Sequence, residues 1–150
     1  MTTIHFGTLE NMKEVWKLNH LKTIKEITIG NEWKFEGDRL FRNKDGVLSS
    51  FILPTTIEKI NGQNVVSKQL TSYTIPDTVT KIGNECFSYC TNLTTIELNE
   101  GLLEIGGCFY NCKSLKEIII PNTVTKLGNG CFDNCTNLKN INRTFPLSSL

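Results

Sequence analysis

Alanine is absent from this chain of 150 residues, and histidine and tryptophan each occur only twice. An excess of one charge is also missing. The 16 basic residues are balanced by 15 acidic ones, for a formal net charge of +1. That balance removes the electrostatic basis for binding nucleic acid or an anionic membrane surface. No apolar run approaches the roughly 20 residues that a membrane-spanning helix requires, so membrane insertion is not expected. The opening MTTIHFGTLENMKE has no basic stretch followed by an apolar one, and it does not read as a secretory signal. The default expectation is a cytoplasmic protein in a reducing compartment, where structural disulfides are rare. Catalytic signatures are missing as well: there is no G-x-S-x-G, no H-E-x-x-H, no Gly-rich phosphate loop and no paired-carboxylate motif. Neither an enzyme nor a cofactor is expected. The lack of alanine and the abundance of asparagine read as compositional bias.

The chain does contain a repeat. All six cysteines lie in three related phrases, CFSYCTNL from Cys86, CFYNCKSL from Cys108 and CFDNCTNL from Cys131. Each phrase runs into a short apolar alternation, LTTIEL from Leu93, LKEIII from Leu115 and LKNINR from Leu138. The last three pattern positions alternate as a strand with one buried face does. The template extends backward to LTSYTIP from Leu70, LSSFILP from Leu48 and IKEITIG from Ile24. The six starts are separated by 24, 22, 23, 22 and 23 residues. Between strands, an apolar pair three apart precedes a glycine: Val79 and Ile82, Leu102 and Ile105, Val124 and Leu127. The middle repeat is one residue short between Gly106 and Cys108, in a turn. A unit this short cannot bury its apolar side alone and must stack on its copies. The expectation is one α/β-type solenoid domain over 1–150. One side is a parallel sheet, and the other side carries short strands, turns, or 3-10 or helical corners.

The string L-x-x-I-x-I-P-x-x-V-x-x-I-G-x-x-C-F-x-x-C-x-x-L resembles the repeat of the BspA-like leucine-rich repeat family. The regular match covers 70–141. Residues 24–69 are degenerate repeats, and within them KFEGDRLFRNKDGVLSSFILP resembles a hairpin variant of that family. The family's repeat usually has a small residue where this chain has the first cysteine of each phrase. The resemblance implies a leucine-rich repeat fold and a protein-binding role. Its characterised members are surface adhesins or antigens of bacteria and parasitic protists, so it also implies a possible cell-surface location. Residues 1–23 are expected to form an N-terminal cap, with an amphipathic helix over LENMKEVWKLNHLKTI. Residues 142–150 are expected to form a C-terminal cap or tail, since Arg143 occupies a slot that is apolar in earlier strands.

The cysteines admit several readings. Their C-x3-C spacing is unlike the C-x2-C of structural zinc sites, and His5 and His20 lie far from them in sequence. A disulfide within a row of three leaves one thiol over. A thiol redox or metal protein remains as one alternative function. The expected reading is core: Cys86, Phe87, Cys90 and Leu93 stack on Cys108, Phe109, Cys112 and Leu115, and these on Cys131, Phe132, Cys135 and Leu138.

Functional side chains are then expected on the outward rows of the sheet. One row is Glu26, Ser50, Ser72, Thr95, Glu117 and Asn140, and the other is Thr28, Ile52, Thr74, Glu97, Ile119 and Asn142. The candidate binding face is Ser72, Thr74, Thr95, Glu97, Glu117 and Ile119, which would receive a protein partner.

Overall fold

The computed structural model describes residues 3–6 and 24–143. The chain divides into two compact units, one of residues 1–42 and 51–68, the other of 43–50 and 69–150. The strands β4 (Arg39–Lys44) and β5 (Val47–Ile52) each pass from one unit to the other.

In the first unit, β1 (Thr3–Phe6) pairs parallel with β2 (Glu26–Ile29), which pairs parallel with β6 (Lys59–Ile60). β6 turns back into β7 (Gln63–Asn64) through Asn61 and Gly62, both at positive φ. Asn-Gly suits such a two-residue hairpin because both central positions are left-handed. β3 (Trp33–Glu36) pairs antiparallel with β4, Trp33 opposite Arg42. A core of Ile24, Ile27, Trp33, Leu40, Leu53, Ile57 and Ile60 lies among these strands. Trp33 meets Phe51 edge-on at 5.3 Å, with the Arg42 guanidinium 4.9 Å above its ring. The helix expected over LENMKEVWKLNHLKTI falls almost wholly outside the described residues.

The second unit is a β-solenoid of about three turns. One side is built from β8 (Ser72–Thr74), β10 (Thr95–Glu97), β12 (Glu117–Ile120) and β14 (Asn140–Arg143). A second side is built from β9 (Lys81–Ile82), β11 (Glu104–Ile105) and β13 (Lys126–Leu127), parallel and in continuous register. The cysteine phrases make the third side. There Phe87 N–H donates to Cys108 O and Tyr89 N–H to Tyr110 O, and Phe109 and Asn111 repeat these bonds to Cys131 and Asp133. The same three positions of each turn therefore point at one axis. Phe87, Phe109, Cys86, Cys108, Cys112, Leu93 and Leu115 are completely buried, and Cys90 and Cys131 nearly so. Phe132, Cys135 and Leu138 are half-buried, while Leu127 and Ile141 are about half exposed. Among the described residues the third turn has a neighbour on one side only, and its inward positions are correspondingly wetter.

Two expectations need correction. Among the described residues every regular element is a strand, so the α/β-type description and its 3-10 or helical corners do not hold. The corners are isolated turns, for example Cys86 N–H to Gly83 O and Cys90 N–H to Phe87 O. Left-handed residues at Glu85, Tyr89, Asn111 and Asn134 interrupt them, and a right-handed helix cannot continue through such a residue. The second correction concerns Leu48. Its strand β5 pairs with β9, Leu48 opposite Ile82. It does not add to the row of β8, and Ser50 is turned away from that face, donating to Cys86 O at 2.5 Å. Residues 24–29 likewise stack on β6 of the first unit. The 142–150 tail begins as strand: β14 pairs with β12 through Arg143, opposite Ile120. Residues 144–150 lie outside the described part.

Candidate interaction surfaces

On the sheet side of the solenoid, β8, β10 and β12 alternate strictly, whereas Asn140, Ile141 and Asn142 of β14 are all exposed. Tyr73, Ile96, Ile118 and Ile120 point in, and Ser72, Thr74, Thr95, Glu97, Glu117 and Ile119 point out and are exposed. β8 and β10 are paired in register, Thr95 beside Ser72 and Glu97 beside Thr74. β12 and β14 are likewise paired, Glu117 beside Asn140 and Ile119 beside Asn142. These two pairs are separate sheets, with no ladder between β10 and β12. The break falls on the turn that is one residue short. Thr95 and Glu117 are 22 residues apart, whereas the paired strands on either side are 23 apart. Over the break lies a cleft of about 460 Å³ lined by Thr95, Glu97, Glu100, Glu117, Ile119 and Pro121 among others. It brings together four of the six sequence-predicted face residues. Ser72 and Thr74 stand outside it. Glu100 and Pro121 were not anticipated, because neither occupies an outward strand position. Ile119 is 51% exposed and borders the carboxylates that line the cleft.

The thiols have structural duties. Cys112 Sγ donates to Phe87 O at 3.1 Å, and Cys135 Sγ to Phe109 O at 3.0 Å, each bonding one turn to the turn before. Burial pushes the Cys108 thiol well above the usual range, and the adjoining Cys131 adds to this. Cys131 shifts downward because the Cys108 thiol hydrogen-bonds to it, an effect that outweighs its own burial. Burial raises Cys135. A reactive cysteine is an accessible thiolate in a positive environment, whereas five of these six are buried. Among the described residues no three His, Cys, Asp or Glu side chains converge in a metal-binding arrangement, and no helix is long and apolar enough to cross a membrane.

The corner side carries a second groove, of about 340 Å³, whose lining includes Glu85, Tyr89, Tyr110 and Asp133. The outward rows of the sheet do not include these residues. A signal for them was nevertheless present in the aligned phrases. Tyr89 stands where the later turns have Asn111 and Asn134, and all three are left-handed, with φ between 61° and 63°. Glu85 stands where the third turn has Gly130, and both are left-handed. Asparagine and glycine suit that conformation, whereas tyrosine and glutamate pay roughly 1 kcal/mol or more for it.

Residues 65–150 match the BspA type leucine rich repeat region, in 6 copies. A leucine-rich repeat protein from Eubacterium ventriosum ATCC 27560 is similar in structure, with a TM-score of 0.56 and 29% sequence identity over 81% of this chain and 30% of its own. This chain thus corresponds to less than a third of that protein. A leucine-rich repeat protein from Bacteroides capillosus ATCC 29799 has a TM-score of 0.53 and 25% identity over 77% of this chain and 100% of its own. No curated protein matches the sequence. The match of the repeat region over more than half of the chain, together with the stacked parallel turns, places this protein in the BspA type leucine-rich repeat family.

Proposed function

We propose that the protein is a non-enzymatic protein-interaction module whose partner docks on the sheet side of the solenoid. The observation that supports this most is the cleft over the break between β10 and β12. It joins an exposed isoleucine to the carboxylates of Glu97, Glu100 and Glu117 on a base of stacked turns. Solenoids present extended surfaces of this kind by geometry, and an apolar centre rimmed by polar groups is the common form of a protein contact. The burial of five of the six cysteines supports the reading that these thiols serve the core.

Affinity capture from the native cell extract tests the reading. A Glu97→Ala/Glu117→Ala/Ile119→Ala variant should lose a partner that the unaltered protein retains. Equal recovery by both proteins would remove the sheet side from consideration. The family resemblance supports the narrower idea of an adhesin or surface antigen that binds a host or matrix protein. Labelling intact cells with a membrane-impermeant reagent separates that idea from an intracellular role, and an exclusively intracellular pool eliminates it.

A further inference from the structure

We propose that the corner groove is a binding site that receives an arginine side chain from an extended basic segment of a partner. The first turn departs from the local rule twice, at Glu85 and at Tyr89, and both departures line this groove. Folding alone would favour the glycine and asparagine found in the equivalent places of the other turns. Strained positions of this sort concentrate where a side chain is retained for recognition.

The chemistry of the lining selects the ligand. Tyr89 is 58% exposed and meets Tyr110 edge-on, with centroids 5.5 Å apart and planes at 72°. Asn134 Nδ2 donates to the Tyr110 hydroxyl at 3.4 Å, which helps orient that ring. Glu85 and Asp133 add two carboxylates, neither in an ion pair among the described residues, and the lining contains no lysine, arginine or histidine. An anion would be repelled. A neutral ligand would displace water from two charges without replacing it by a counter-charge. A cation meets both the carboxylates and the electron-rich ring faces. Arginine fits better than lysine, because its planar guanidinium stacks on a ring while its edge forks onto a carboxylate. Gly107, on the turn that is one residue short, leaves the groove open beside Glu85, whose N–H donates to Gly107 O at 3.0 Å.

The test uses the full chain and isothermal titration with acetyl-(Gly-Arg)3-amide. Acetyl-(Gly-Gln)3-amide and maltohexaose serve as neutral arms. The arginine peptide should bind saturably with one site per chain and weaken as salt is raised. Tyr89→Asn and Glu85→Gly should each weaken it at least about fivefold, the size expected for one cation–π or charge contact. Both variants should keep or raise the thermal midpoint, so loss of binding cannot be ascribed to misfolding. Glu36→Gln removes an exposed charge in the other unit and should leave binding unchanged. The proposal is overturned if neither groove variant weakens binding, if Glu36→Gln weakens it as much as they do, or if the arginine peptide fails to saturate at millimolar concentration. Tyr89-dependent binding of maltohexaose in preference to the arginine peptide would also overturn it, by making the groove a glycan site.

Discussion

The rings of Phe87 and Phe109 lie almost parallel, 5.5 Å apart between centroids with 7° between planes. Phe109 and Phe132 repeat the relationship at 5.7 Å and 5°. Isolated aromatic pairs favour offset or edge-to-face contacts, and Tyr73 approaches Phe87 in the tilted manner, at 58°. The parallel arrangement comes from the backbone. Equivalent positions in successive turns are held in register by bonds such as Phe109 N–H to Cys131 O, so equivalent side chains take the same orientation.

Phe109 should therefore be the costliest single truncation in the stack. It is fully buried, and Phe109→Ala is expected to destabilise by about 3–5 kcal/mol. Phe132→Ala should cost less, because Phe132 is only half-buried. Urea unfolding of both variants checks the order. A loss below about 1 kcal/mol for Phe109→Ala would contradict a continuous ring column.

A glycine contact limits how closely two turns approach. A Cβ at Gly128 would lie 2.4 Å from Gly107 N and 2.7 Å from Gly106 C. Both are backbone atoms, so Gly128→Ala has to separate the turns. The expected loss is about 1–3 kcal/mol, as for other overpacked sites, read as a lower thermal midpoint. An unchanged midpoint would show that the turns do not pack this tightly in solution.

Asn99 joins turns through its side chain. Its Nδ2 donates to Val79 O at 2.7 Å and to Asp77 O at 3.3 Å, and the residue is buried. Asn99→Ala would orphan these carbonyls at a cost of about 1–3 kcal/mol. Asn99→Asp should be at least as harmful, since a carboxylate cannot donate and would face two carbonyl oxygens. Chemical denaturation of the two variants distinguishes them, and equal stability of Asn99→Asp and the unaltered protein would refute the bridging role.

Alkaline pH should loosen the solenoid. Cys108 and Cys135 have thiol pKa values above the usual range in the folded state, chiefly through burial. Unfolding releases their protons once the pH exceeds the ordinary thiol value of about 8.5, so stability falls as pH rises from there. Cys131, shifted downward by the Cys108 thiol, works in the opposite sense. The urea midpoint should decline as the pH rises above about 8.5, and less steeply in Cys108→Ala. Identical slopes in the two proteins would rule out Cys108 as a source of the decline.

Much of the second unit was legible in the sequence. A period of 22 or 23 residues, with apolar residues at fixed offsets, marks the positions that avoid water. Cys86, Phe87, Cys108 and Phe109 have zero exposure, whereas Phe132, Cys135 and Leu138 of the third turn are half-buried. The alternation around Ile96 and Ile118 also separates inward from outward residues on each strand. Periodicity alone did not say which strand pairs with which. Leu48 matched the template as well as Leu70 did, yet it lies opposite Ile82. That partnership depends on a hairpin whose Asp45-Gly46 turn, with both residues left-handed, receives the backbone of Thr80 and Lys81. Nor did spacing reveal that the missing residue near Gly107 accompanies an open ladder between β10 and β12. The repeat and the family follow from the sequence, because a constant spacing of apolar residues and cysteines is written in the chain itself. The strand partners, the corners without helix and the two grooves emerge only once the chain is folded. These depend on backbone hydrogen bonds between residues more than 20 positions apart and on left-handed turns, which side-chain hydropathy does not encode.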